Sequence, residues 1–224
     1  MTDHSRHAVY YIPPEGPLAE FGARWLGWDP VAARAVPSFD VDRLDEMVAT
    51  PRKYGFHATL KPPFRLAPGR TAAELGAAVA ALAARTPPAR ASGLRLARLG
   101  RFLALVVEGA EDEIARVAAA CVRDLDAFRA APGPEELARR DGPHLDARRR
   151  ALLHEWGYPH VLDAFRSHMT LTGKLPKADL PAAEAALRAY LPPLPAPFVM
   201  GEIALLGERP DGRFELISRH ALTG

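Results

Sequence analysis

Two tetrapeptides 111 residues apart, His57-Ala58-Thr59-Leu60 and His168-Met169-Thr170-Leu171, share the pattern His-x-Thr-Leu. With the histidine, threonine and leucine content of this chain, chance supplies roughly 0.04 copies of that pattern, so two copies mark an internal repeat. The flanking elements repeat in the same order. One half reads as strand 8–12, a helix with apolar stripe Leu18, Phe21, Trp25 and Leu26, strand 56–66 interrupted by Pro62-Pro63, helix 71–85 and strand 94–99. The other reads as strand 102–107, helix 111–128, strand 168–175, helix 179–191 and strand 199–206, with strand 214–222 added beyond the Asp211-Gly212 turn. A helical insert over 132–166 interrupts the second half, and 28–50 reads as irregular or partly helical. The expected fold is α+β: two pseudo-symmetric lobes, each an antiparallel sheet with helices on its outer face, and an active-site cleft between them. Lacking an unstructured linker, residues 1–224 are expected to form one bilobal domain.

Alternate side chains of a strand share a face. His57 and Thr59 are therefore predicted to point one way and Ala58 and Leu60 into the core, with His168 and Thr170 set against Met169 and Leu171 in the same manner. An axis through the cleft then brings two imidazoles to one substrate. Imidazole titrates near neutrality, so one ring can take a proton while the other gives one. Threonine hydroxyls can hydrogen-bond the non-bridging oxygens of a phosphate. A base on one side and an acid on the other suit in-line displacement at phosphorus, with no metal or other cofactor required.

Composition narrows the alternatives. The formal charge of +2 over 224 residues argues against a protein that coats nucleic acid, and the single cysteine, Cys121, excludes an internal disulfide and a paired-cysteine zinc site. Cys121 lies on the apolar stripe of its helix and reads as a buried, inert thiol. The first residues lack the apolar run of a secretory signal and no stretch is long enough to span a bilayer, so a cytoplasmic protein without membrane contact is expected. A glycine-rich phosphate loop, a Gly-x-Ser-x-Gly elbow and a His-Glu-x-x-His helix are all missing from the sequence.

The motifs in their longer contexts, Tyr54-Gly55-Phe56-His57-Ala58-Thr59-Leu60-Lys61 and Trp156-Gly157-Tyr158-Pro159 followed by His168-Met169-Thr170-Leu171-Thr172-Gly173, resemble the two-histidine (2H) phosphoesterase superfamily, in the branch associated with phosphonate-utilisation operons. The resemblance implies metal-independent hydrolysis of a cyclic phosphate on a small sugar or nucleotide, with His57 and His168 as base and acid and Thr59 and Thr170 on the phosphate. It also makes phosphoribosyl cyclic phosphate a candidate substrate. An RNA end-processing enzyme (2′,3′-cyclic phosphodiesterase or 2′–5′ ligase-like) and a non-catalytic phosphate-binding protein remain as alternatives.

Around the motifs, all four lysines, Lys53, Lys61, Lys174 and Lys177, fall within nine residues of a motif histidine in a chain that otherwise uses arginine. Strand alternation puts Lys61 on the His57 face and Lys174 on the His168 face, which makes them candidate phosphate ligands. Arg52, Tyr54 and Thr172 are further candidates for substrate contact, as is Arg166, while Phe56 reads as packing. Tyr10 and Tyr11 lie on opposite faces of their strand, so at most one can reach the cleft. His144, His154 and His160 show no ligand spacing and read as surface or structural, and the Arg148–Arg150 run reads as a solvated face.

Overall fold

The protein was analysed as a computed structural model that describes residues 4–143 and 145–224; His144 lies outside them. The first half of the chain contains β1 (His7–Tyr11), α1 (Pro17–Leu26), β2 (Trp28–Asp29), β3 (Arg34–Ala35), α2 (Leu44–Val48), β4 (Ala58–Phe64), α3 (Ala72–Ala84), β5 (Ala89–Ala91) and β6 (Gly93–Leu99). The second contains β7 (Phe102–Glu108), α4 (Asp112–Asp124), α5 (Pro134–Arg140), α6 (Ala147–Trp156), β8 (His168–Thr170), α7 (Leu180–Tyr190), β9 (Phe198–Met200), β10 (Glu202–Glu208) and β11 (Phe214–Ala221).

Seven strands form one antiparallel sheet in the order β11-β10-β1-β4-β8-β7-β6. Without the added edge strand β11 the order is palindromic, because β10-β1-β4 mirrors β6-β7-β8. The fold is thus the expected α+β arrangement of two similar lobes, and the structure shows how they join. The motif strands β4 and β8 meet at the axis through the pair Ala58↔Met169. Each lobe takes its outer strand from the opposite half of the chain: β10 completes the first lobe and β6 the second. The helices cross over too. Helix α4, which follows β7, packs on β4, while α1, which follows β1, sends Trp25 Nε1 to the Leu171 carbonyl beyond β8 at 2.8 Å.

One face of the sheet carries the main core. Val9, Tyr11, Ala58, Leu60, Leu103, Leu105, Met169, Leu171, Ile203 and Leu205 belong to one buried cluster with residues of α1, α3, α4 and α7. On the other face Ala8, Tyr10 and Ile12 pack with Ala204, Leu206 and Phe214 in a smaller cluster, against which Tyr54 leans. Alternation along β1 thus decides that Tyr10, not Tyr11, belongs to the cleft side.

Local signals mostly act as read. Thr71 and Glu74 form the reciprocal capping box that opens α3, and Gly100, at φ 64°, makes the β6–β7 turn that a side chain would strain. Strand 168–175 ends early, at Thr170. The amides of Leu171 and Thr172 both turn to the Leu103 carbonyl (2.9 and 3.2 Å) and that of Gly173 to Met47 (2.7 Å), which draws the chain out of the sheet. The expected strand 199–206 is two strands broken at Gly201, since β9 pairs with β5 in a separate ribbon. The helix expected to reach 128 stops at Asp124, followed by a 3-10 turn over Asp126–Phe128. Within 28–50 a small β2–β3 ribbon precedes α2. Residues 132–166 contain α5, α6 and a 3-10 turn over Leu162–Ala164. Among the described residues no helix is long and apolar enough to cross a membrane.

Candidate active site

His57 directly precedes β4 and His168 opens β8. Carrying the Ala58↔Met169 register one residue either way sets His57 across from Thr170 and Thr59 across from His168. With Ala58 and Met169 buried in the core, the four polar side chains share the opposite face and line one cleft of about 410 Å³. They form a quadrilateral, with the imidazoles on one diagonal and the hydroxyls on the other. Diagonal neighbours of this kind lie about 7–8 Å apart, enough to place one reacting group between two rings.

Both histidines are held alike. His57 Nδ1 donates to the Gly55 carbonyl at 2.9 Å, and His168 Nδ1 donates to that of Arg166 at 2.8 Å. A carbonyl can only accept, so each neutral ring carries its proton on Nδ1 and keeps the Nε2 lone pair for the cleft. At His57 that lone pair accepts from Thr59 Oγ1 at 3.1 Å.

Their surroundings differ. Tyr10 lies across from Thr59 on β1, and Ala104 is its counterpart across from Thr170 on β7. The Tyr10 ring stacks on His57, 3.7 Å between centroids at 21°. Alanine cannot cover His168 in that way; its ring neighbour is Phe102, tilted at 5.8 Å. Burial pushes the His57 imidazole down to about 4, against the Gly55 carbonyl, which favours the charged form; His168 adds a smaller push in the same direction. His57 is therefore a neutral imidazole throughout the physiological range.

The other candidates divide. Tyr54 lines the cleft, 6.1 Å from the His57 ring. Thr172 also lines it, but its hydroxyl is engaged, accepting from Leu103 N at 3.0 Å and donating to the Gly173 carbonyl at 2.9 Å. Lys61 is a correction. The β1–β4 register slips between Thr59 and Lys61, so Lys61 pairs with Val9 and turns to the core side. There its buried Nζ donates to the Val122 carbonyl at 3.0 Å near the end of α4 and faces Asp126 at 3.5 Å. Burial pushes this ammonium down to about 8, with Asp126 opposing.

Arg52 plays the equivalent part at the end of α1, donating from Nε to the Leu26 carbonyl at 2.8 Å and pairing with Asp45. It does not line the cleft. Lys174 is exposed in a separate groove beside Arg43 and Asp179, because the chain has left the sheet before reaching it. Lys177 and Arg166 are exposed as well, and only Lys53 stays near, 4.8 Å over the Tyr54 ring. The cationic focus expected from lysines is therefore not built by them. His154 and His160 are exposed, Phe56 and Cys121 are buried in the core, and burial raises the thiol to about 12. Among the described residues no cluster of three or more histidine, cysteine, aspartate or glutamate side chains could hold a metal ion.

Among the polar cleft residues, sequence reasoning did not single out Arg6, Thr50, Arg140 and Tyr158, and it left open whether Tyr10 or Tyr11 faces the cleft. Arg6 and Tyr10 share the parity of the cleft face of β1, a signal that alternation offers once the register is known. Arg140 and Tyr158 come from the insert, whose docking no periodicity reveals.

A family model described as "Protein of unknown function (DUF1045)" matches residues 59–215. A protein from Janthinobacterium sp. (strain Marseille) named ribose 1,5-bisphosphate phosphokinase PhnN is 39% identical over 181 residues, covering 78% of this chain and 40% of that protein. One of the same name from Laribacter hongkongensis (strain HLHK9) is 39% identical over 196 residues, covering 83% and 44%. The chain thus spans about two fifths of the length of these curated relatives. Among solved structures, E. coli LigT in apo form aligns over 100% of both chains at 16% identity and TM-score 0.47. TT0787 of Thermus thermophilus aligns over 98% of both at 20% identity and TM-score 0.46.

Proposed function

The chain belongs to the DUF1045 family, and on that footing we propose that it is a two-histidine phosphodiesterase that hydrolyses a cyclic phosphate on a small sugar or nucleotide without a metal. The observation that carries this reading is the Ala58↔Met169 register, which gathers two imidazoles and two hydroxyls on one face, with both Nδ1 atoms tied to carbonyls and the Nε2 atom of His57 turned to the Thr59 hydroxyl in the cleft.

His57, neutral and pre-set with its lone pair on Nε2, is the base. It takes a proton from water as the water oxygen attacks phosphorus. The hydroxyls of Thr59 and Thr170 donate to the non-bridging oxygens and stabilise the charge that gathers there. His168, on the opposite diagonal and entering this step as the imidazolium, delivers its Nε2 proton to the departing ester oxygen and is left neutral, so one P–O bond forms and one breaks. The product is a phosphomonoester with a free hydroxyl, and a proton passing from His57 to His168 through solvent resets the pair.

Phosphoribosyl cyclic phosphate is the candidate substrate. The curated relatives that contain the matching segment are named for an enzyme of phosphorylated ribose, and the cleft volume suits a single sugar phosphate. The test is a turnover assay on phosphoribosyl cyclic phosphate and nucleoside 2′,3′-cyclic phosphates, with EDTA present and absent. His57→Ala and His168→Ala should each lose at least about 1000-fold in kcat. Full activity in either variant overturns the mechanism.

A further inference from the structure

The cleft wall beside His57 is built from three tyrosines and two arginines. The hydroxyls of Tyr10, Tyr54 and Tyr158 make no hydrogen bond to the described residues and remain available to a ligand. Arg6 and Arg140 stand with them on the same cleft, and the Arg140 guanidinium lies 5.6 Å over the Tyr158 ring.

Charge accumulates in and behind this wall. Glu208 pairs with Arg6 and also feels Lys53. Glu136 is shared by Arg65 at 3.1 Å and Arg140 at 2.9 Å. Each of these two carboxylates meets two cations, so two positive charges are left over, in a chain whose whole formal charge is +2. The scissile phosphate does not account for them, because the histidines and threonines hold it elsewhere. Along the face of β1, Arg6 lies four residues from Tyr10, about 13 Å at the strand rise. Allowing for the reach of the arginine side chain, one sugar with a group at each end spans that gap.

We propose that Arg6 and Arg140, with the hydroxyls of Tyr54 and Tyr158, form a second anion subsite, which holds the non-scissile phosphate of the phosphoribosyl substrate proposed above. Arg6 already gives its Nε and Nη2 to Glu208, and Arg140 is tied to the Gly157 carbonyl and Glu136, so each offers a phosphate its remaining N–H groups from a side chain held in place. The inference rests on His57 and His168 being the catalytic pair, but it concerns a different part of the ligand.

The decisive comparison is kcat/KM for ribose 1,2-cyclic phosphate with and without a 5-phosphate. Wild type should prefer the phosphorylated compound by about 100-fold, and Arg140→Met or Arg6→Met should bring that ratio down at least tenfold, chiefly through KM. A wild-type ratio near 1, or a ratio unmoved in both variants, overturns the subsite. Binding of ribose 5-phosphate by calorimetry separates the two readings without turnover. Wild type and His57→Ala should bind it alike, and Arg140→Met should bind at least tenfold more weakly. If no cyclic phosphate is hydrolysed but this pattern holds, the subsite stands and the catalytic reading falls. Preference for single-stranded RNA over both sugars, with a steep salt slope, assigns the wall to a polynucleotide and overturns the proposal.

Discussion

Tyr10→Ala turns the His57 side of the cleft into a copy of the His168 side, where Ala104 holds the corresponding position. Stacked at 3.7 Å, the phenol ring removes one whole face of His57 from water. Burial holds that imidazole at about 4, against an ordinary 6.5, which corresponds to about 3 kcal/mol of disfavour for the charged form. Full relief would return the group to its ordinary value. At pH 5 the neutral fraction would then fall from about nine tenths to about 3%, a loss of about 30-fold in kcat/KM, whereas at pH 8 almost nothing would change. The direction is determined by the role: a base must be unprotonated, so raising its pKa moves the acid limb of the profile upward. The assay is kcat/KM from pH 4 to 9 for wild type, Tyr10→Ala and Tyr10→Phe. Phenylalanine keeps the stack and should leave the limb in place. Truncation at this buried position costs about 3–5 kcal/mol of stability, so each profile is taken below the melting temperature of its variant. An acid limb that stays where it is in Tyr10→Ala would refute the reasoning.

Other outcomes follow from the same geometry. Lys61→Met should keep kcat/KM within about threefold, because the ammonium faces the end of α4 and not the cleft. The native Lys61 has its pKa lowered to about 8 from 10.5, so the unfolded chain binds more protons between those values. Lys61 therefore adds up to about 3 kcal/mol of stability as pH rises through that window, and denaturant titrations of Lys61→Met should lack this rise. Thr71→Ala removes the hydroxyl half of the capping box and should cost about 1 kcal/mol in thermal or urea unfolding, with unchanged kinetics. Dialysis against EDTA should leave turnover intact; activity restored only by added metal would contradict the two-histidine reading.

The candidate pair was legible because it repeats. Pattern and strand parity were enough to place His57, Thr59, His168 and Thr170 on one face, since alternation is a local property of extended backbone. Parity failed at Lys61, where an irregularity in the β1–β4 pairing turns that side chain to the core side. It could not serve Lys174, because backbone amides that bond to Leu103 and Met47 end the strand first. Clustering in sequence made the lysines look like phosphate ligands. Two of the candidate cations, Lys61 and Arg52, instead satisfy the open carbonyls near the ends of α4 and α1.

What the chain determined by itself is the local part: the α+β order, the capping box, the tight turns and the face on which each motif residue lies. The tertiary structure decided the rest. It joined the two lobes at Ala58↔Met169, exchanged their outer strands, and brought Arg6, Arg140 and Tyr158 to one cleft from distant segments. It also distinguished the two histidines, which the motifs leave equivalent. Tyr10 covers one and Ala104 uncovers the other, and how strongly an imidazole holds its proton depends on what excludes water from it.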